Sequence, residues 1–237
     1  MRRIGFTALA LAGLSGFAWA ASDPGPPAVA PSQAAGKAPD ASDVLFDQPQ
    51  MKNTAPGSTL TYGYLRRSGI EKGPFGPPIE DTIQLTVEPS KIESSRNIVV
   101  RMFSGANRVP AGPFVDMPGN PVLPLFLENH LKGMAGLLGA NPRYIKNAIR
   151  KGLRERATVT PTQVSFKGRQ VEGWRIEVKP FEGDVQTDRM RGFDATTYTF
   201  VTSPEIPGEI VSIEAHAKTP DGGDLLEERL SYDQNAG

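Results

Sequence analysis

The stretch DTIQLTVEP, residues 81–89, alternates apolar and polar side chains without a break. Ile83, Leu85 and Val87 fall on one side, Gln84, Thr86 and Glu88 on the other. A period of two is the strand repeat, and one apolar face per strand is the mark of antiparallel sheet with one buried face. The pattern recurs along most of the chain. TLTYGYLRR (59–67) groups Leu60, Tyr62 and Tyr64, and NIVVRMF (97–103) reads as a buried strand. TQVSFKGRQVEGWRIEVKP (162–180) reads as a hairpin turning near Lys167-Gly168-Arg169. Its second arm sets Trp174, Ile176 and Val178 against Arg175, Glu177 and Lys179. TTYTFVTSPEIPGEIVSIEAHAK (196–218) is a second hairpin turning at Pro204–Gly208, and TPDGGDLLEERLSY (219–232) turns at Asp221-Gly222-Gly223 into a last strand. These segments predict about eight antiparallel strands, joined mostly as a meander. No repeat of fixed period is present, which excludes solenoids and propellers.

One segment breaks the strand pattern. Asn120-Pro121 supplies a helix start, and Leu123, Phe126, Leu127, Leu131, Met134 and Leu138 follow at helical spacing. Gly139 is the expected C-cap. Asn141-Pro142 starts a second helix with the apolar stripe Ile145, Ile149 and Leu153. Beside that stripe run Arg143, Lys146, Arg150 and Arg154. The expected fold is therefore α+β and mainly antiparallel β: a curved sheet or half-barrel of about eight strands with an inserted helical hairpin (120–156) whose first helix covers the concave face.

The ends of the chain narrow the setting. Residues 1–20, MRRIGFTALALAGLSGFAWA, carry a positive start, an apolar run and Ala18-Trp19-Ala20 at a cleavage position. They read as a cleaved secretory signal peptide, of the general secretory route rather than the twin-arginine one. The Pro/Ala-rich stretch 21–42 lacks large apolar side chains and is expected to be a disordered linker. A single β-rich domain then spans 43–237, opened by DVLFDQPQM (43–51), whose Val44, Leu45 and Phe46 dock on the core. The chain has no cysteine, so disulfides, thiolate metal sites and lipid anchoring at a cysteine are excluded. Without Arg2 and Arg3 the net charge is −2, which argues against nucleic acid as a partner. The expected location is the periplasm, as a protein that is not lipidated.

The alternating strands, helical insertion and leader together resemble the periplasmic half-barrel carriers and sensors typified by LolA and LolB. The resemblance is one of architecture over residues 59–232. The LFDQP…TLTYGY opening and the LLEERLSY ending look like an uncharacterised family of exported proteobacterial proteins. The half-barrel resemblance implies a concavity able to hold an acyl chain or an apolar peptide segment.

Chemistry-bearing constellations are sparse. The two histidines, His130 and His216, lie far apart in sequence. Ser212, Glu214 and His216 share a strand face, but alternate strand residues sit about 7 Å apart along the chain, a poor triad geometry. No nucleophile elbow, P-loop or dinucleotide-binding glycine pattern occurs. No metal-ligand spacing is present, and Asp221-Gly222-Gly223 is an ordinary hairpin turn. Glu227 and Glu228 point to opposite strand faces and cannot act together. No cofactor is expected.

Two features stand out. Residues 142–156 carry a charge of +5 in a chain that is neutral overall. They form either a solvated face or a contact for an anionic surface. The loops 104–119 and 180–194 are long and carry Phe114, Val115, Met117, Met190 and Phe193, which either close the open side or pack on the rim. The leading expectation is a non-enzymatic binding or carrier protein with an apolar or amphipathic ligand in the concavity, lined by Tyr62, Tyr64, Phe126, Met134 and Trp174. Arg143, Lys146, Arg150 and Arg154 then meet an anionic membrane surface or an acidic protein. The rivals are an accessory or assembly factor that docks an exported complex through the basic helix, and a hydrolase using His216 and Glu214.

Overall fold

The computed structural model describes residues 38–70, 75–219 and 221–236. The leader 1–20 and the linker through residue 37 lie outside the described residues. Ala41 is already buried in the core, so packing begins slightly ahead of Asp43. Val44 and Leu45 dock from a π-helical turn, Asp43–Asp47, while Phe46 points outward.

Among the described residues, nine strands form one sheet: β1 Thr59–Ser68, β2 Ile79–Glu88, β3 Arg96–Met102, β4 Phe114–Met117, β5 Thr158–Phe166, β6 Arg169–Val178, β7 Thr197–Thr202, β8 Ile210–Lys218 and β9 Asp224–Tyr232. All pairings are antiparallel, in the order β4-β3-β2-β1-β9-β8-β7-β6-β5. The fold is α+β, a curved antiparallel sheet with a helical hairpin inserted. The ninth strand is β4, in the loop 104–119. Its Pro- and Gly-rich flanks hide a four-residue strand from pattern reading. The meander is also interrupted, because β9 returns to lie between β1 and β8.

That order explains the helices. β4 and β5 are the two edges of the sheet, and the chain must pass from one to the other across its full width. Nine strands present eight spacings, roughly 38 Å if flat at ~4.8 Å each. Helix α1 (Val122–Leu138) and helix α2 (Pro142–Glu155) make the crossing over the apolar face. Asn120 Oδ1 accepts from the Val122 amide at 3.0 Å, and Gly139 closes α1 in the left-handed region at φ 59°. Asn141 caps α2 by accepting from the Arg143 amide at 2.9 Å, with Pro142 in the first turn.

The strand faces follow the alternation. Leu60, Tyr62, Tyr64, Ile83, Leu85 and Val87 are buried against α1, which contributes Leu123, Phe126 and Met134. Each such side chain contributes about 1.5–3 kcal/mol by leaving water. The loop 180–194 closes the core: Phe181, Met190 and Phe193 are buried, and Phe193 stacks on Phe75 at 6.2 Å. In the loop 104–119, Phe114 and Met117 are half-buried and Val115 is exposed.

Asn120 ties four chain segments together. Its Nδ2 donates to Tyr62 Oη and to the Gly208 carbonyl, both at 2.8 Å, and its amide donates to Gln50 Oε1 at 2.8 Å. Gly208 has φ 75°, and a Cβ there would lie 2.6 Å from Asn120 Nδ2. Asn120→Ala loses the cap and strands buried partners, and should cost about 2–4 kcal/mol. Asn141→Ala removes an exposed cap and should cost only about 0.5–1 kcal/mol. Urea unfolding of both variants reads the difference directly.

Candidate functional site

Register places a row of inward-facing residues across the middle of the sheet. Tyr198 on β7 pairs with Ala215 on β8, and Ala215 with Glu228 on β9. Ala215 is the smallest of the three and leaves room above it. His130 descends from α1 into that room and bridges its neighbours. Nδ1 lies 2.8 Å from Glu228 Oε2, and Nε2 lies 2.7 Å from Tyr198 Oη. Tyr64 donates to Glu228 Oε1 at 2.6 Å, and Asn129 Nδ2 donates to Tyr64 Oη at 3.1 Å. His130 and Glu228 have no solvent exposure.

One proton arrangement satisfies every group. With a proton on Nδ1, His130 donates to an ionised Glu228, and Tyr198 donates to Nε2. Tyr64 then supplies the second bond to the carboxylate. With the imidazole proton on Nε2, an ionised Glu228 would set two lone pairs face to face at Nδ1, and a protonated Glu228 would leave the Tyr198 hydroxyl hydrogen with no acceptor among the described residues. Burial first, and then the Glu228 charge, push the Tyr64 and Tyr198 hydroxyls well above their usual pKa. Both phenols therefore stay protonated as donors. The cluster has an acid–imidazole–hydroxyl order and lies between α1 and the sheet, where His130 and Glu228 have no solvent exposure. Its role is to hold α1 in place.

Pattern reading left His130 as one of two histidines far apart in sequence and treated Glu228 only as a member of a non-cooperating pair. A signal was present. His130 falls four residues after Phe126 and four before Met134, and Glu228 shares the strand phase of Leu226 and Leu230. A charge in a buried phase requires a partner from the facing element. Glu227 does point away from Glu228 and lies 3.9 Å from Arg67.

The expected lining residues are core. Tyr62, Tyr64, Phe126 and Met134 are at most 2% exposed. Tyr64 meets Phe126 edge-on at 6.5 Å and Phe103 at 4.5 Å. Trp174 is half-buried and packs against the same cluster from β6. Tyr62, Tyr64, Phe126 and Met134 pack in the core that joins the helix to the sheet. His216 bonds Asp224 at 2.8 Å, and Glu214 pairs in register with Arg229, so the Ser212–Glu214–His216 combination does not assemble. The His216 hydrogen bond is the main reason the Asp224 carboxyl lies below its usual pKa. Among the described residues, no group of three or more His, Asp or Glu is placed to hold a metal ion.

An open site lies elsewhere, on the outer side of the helical hairpin. A groove of about 490 Å³ runs between α1, α2 and the Asp43–Asp47 turn. From α1 come Leu127, Glu128 and Leu131; from α2 come Ile149 and Leu153 on the floor, with Lys146, Arg150 and Arg154 along the rim. Phe46, 45% exposed, stands at the turn. At 100° per residue, Leu127 and Leu131 lie roughly 100° round α1 from the Phe126–His130–Met134 line. Helix α1 thus has two apolar faces, one on the sheet and one on α2. The continuous stripe read from sequence merges them.

Three of the four predicted cations line this groove, and Arg143 does not. Lys146 pairs with Glu128 at 2.5 Å, an exposed pair worth at most about 1 kcal/mol. Arg150 and Arg154 make no ion pair among the described residues. A second hollow, about 460 Å³, sits over Gly63 on the outward sheet face. Arg67 and Arg229 there face Glu80 and Asp81, a mixture that favours neither ligand charge.

No protein-family model matches the chain, and no curated protein matches it significantly.

Glu228→Ala leaves the imidazole and the Tyr64 hydroxyl without their acceptor and should cost about 3–5 kcal/mol. Glu227→Ala, on the wetted face, should change stability by no more than about 0.5 kcal/mol. Equal effects in chemical denaturation would refute the pinning role assigned to the buried cluster.

Proposed function

We propose that the protein is a non-enzymatic binding or carrier protein of the periplasm that holds an apolar or amphipathic ligand in the groove on the outer side of its helical hairpin. The observation that carries this reading is the groove itself. Aliphatic side chains form its floor, guanidinium and ammonium groups form one rim, and it opens to solvent. Sites of this size, with apolar walls and a few convergent polar groups, commonly take small ligands. Export rests on the leader-like residues 1–20. No helix among the described residues is long and apolar enough to cross a membrane. The non-enzymatic part draws support from the histidines: one is sealed in the core and the other is tied to an exposed aspartate.

The basic face of α2 serves as the contact with an anionic membrane surface. Each Lys or Arg close to such a surface contributes about 1 kcal/mol, so four give transient attachment. Arg143, outside the groove, favours a contact wider than the ligand itself. It equally favours the second reading, in which α2 docks an acidic protein partner of an exported complex.

Native mass spectrometry of protein purified gently from periplasm should show a discrete added mass that is lost on denaturation. Charge reversal at Arg143, Lys146, Arg150 and Arg154 should abolish sedimentation with anionic liposomes at moderate salt and leave the weak association with zwitterionic liposomes unchanged. Undiminished sedimentation with anionic liposomes would remove the membrane contact. Crosslinking through α2 to one protein, with no lipid carried along, would replace it with the docking reading.

A further inference from the structure

We infer that the α1–α2 groove takes one single-chain anionic amphiphile, with its oxyanion head held by Arg150 and Arg154 and its chain laid along Leu127, Leu131, Ile149 and Leu153. This rests on the carrier reading above and gives the ligand a class, a number and an orientation.

The charge pattern defines the head. Lys146, Arg150 and Arg154 recur every four residues, so they are neighbours on one helix face and repel one another. Glu128 neutralises Lys146, the first of the three. The other two guanidinium groups stand side by side on the rim, with no acidic partner among the described residues. Asp47, from the Asp43–Asp47 turn, also borders the groove but makes no ion pair with either. Planar guanidinium forks suit carboxylate or phosphate oxygens, which accept two parallel hydrogen bonds. An oxyanion seated between Arg150 and Arg154 removes their repulsion and gains charge-assisted bonds. A cationic or neutral head gains neither.

The walls define the tail. Leu131, Ile149 and Leu153 present their outer edges to the groove, with Leu127 half-buried beside them. Phe46 is a large aromatic left exposed at the mouth, where a chain in the groove would cover it. A volume of about 490 Å³ equals roughly sixteen water molecules at ~30 Å³ each, and a methylene group displaces nearly as much as a water. One alkyl chain of on the order of a dozen or more carbons fits this volume. The shared chemistry is a single alkyl chain ending in an oxyanion, which a free fatty acid or a lysophosphatidic acid supplies equally.

The test is calorimetric titration of the delipidated full chain with hexadecanoate, palmitoyl lysophosphatidate, hexadecanol and hexadecyltrimethylammonium, each below its micellar concentration. The expected result is one site per chain for one or both anionic compounds, with the alcohol at least tenfold weaker and the cation not bound. The stronger of the two anions identifies the source of the head. Arg150→Gln with Arg154→Gln should weaken the anion at least tenfold and leave the alcohol within twofold. Both positions are exposed, so the fold is not at stake. Leu127→Asp, checked for native circular dichroism, should weaken acid and alcohol alike, and Phe46→Ala should weaken both less. Equal affinity for acid and alcohol, or an unchanged Kd in the double arginine variant, would overturn the assignment of the head. Binding that ignores both Leu127→Asp and the arginine pair, in a protein that still carries a co-purified lipid, would overturn the groove as the place of binding, and with it the proposed site, and leave only ligand carriage itself standing. Absence of binding to all four compounds, together with no co-purified ligand, would end both. Binding to anionic vesicles but to no monomeric amphiphile would overturn the inference in favour of a purely surface contact.

Discussion

The chain leaves the sheet at β4 and re-enters at β5, and these strands are its opposite edges. No short turn joins them. The connection has to cross the face of the sheet, and the face available is the one that needs an apolar cover. Fold and core are settled together by this constraint: the crossing segment is helical, amphipathic and long because it must span the sheet while hiding it. Helix α1 supplies the cover. Helix α2 completes the return to β5 and carries the polar surface that α1 lacks.

An apolar cover alone would leave α1 free to slide, since leucine on leucine tolerates many registers. The Glu228–His130–Tyr198 row removes that freedom. A shift of one helical turn moves His130 by about 5.4 Å and takes the imidazole away from Glu228 Oε2 and from the Tyr198 hydroxyl, while the Tyr64–Glu228 bond within the sheet remains. Orphaned buried polar groups cost about 1–3 kcal/mol each, and more for the charge. The row therefore contributes specificity of placement more than net stability, since desolvating the anion offsets much of what its hydrogen bonds return. Ala215 completes the device through its small size. A larger residue there would fill the space that the imidazole uses.

Much of this could be read from the residues alone. The alternation in 81–89 and 59–67 named the buried faces correctly, and Asn-Pro and Gly marked both helices to within about a residue. Local signals sufficed because strands and caps are local. What escaped was not local. Strand β4 is four residues long between glycines and prolines and carries no period. The insertion of β9 between β1 and β8 depends on pairing between the first and last strands of the domain, which no turn announces. Among the site residues, Tyr62, Tyr64, Phe126 and Met134 were read as inward-facing, which they are. Whether an inward face is a packed core or an open hollow depends on how closely the opposite element approaches. Alternation is silent on that distance. The basic stripe of α2 was legible in full, but its apolar counterpart on α1 was folded into a single face. A helix packed on two sides shows one broad stripe in sequence.

These facts bear on where a ligand can bind. The face of α1 that meets the sheet is fixed by side chains without solvent contact and by a satisfied polar row, so opening it means exposing both. The face that meets α2 is different. There the two helices touch through Leu127, Leu131, Ile149 and Leu153, and the polar link across the groove among the described residues is an exposed lysine–glutamate pair of small worth. Leu131, Ile149 and Leu153 are at most 4% exposed, so a ligand there rests on their outer edges and does not part the helices. A polar row on the inner face and an open groove along the outer one divide the labour within a single helix. The first keeps the domain folded, and the second borders a groove beside two guanidinium groups that have no ion pair among the described residues.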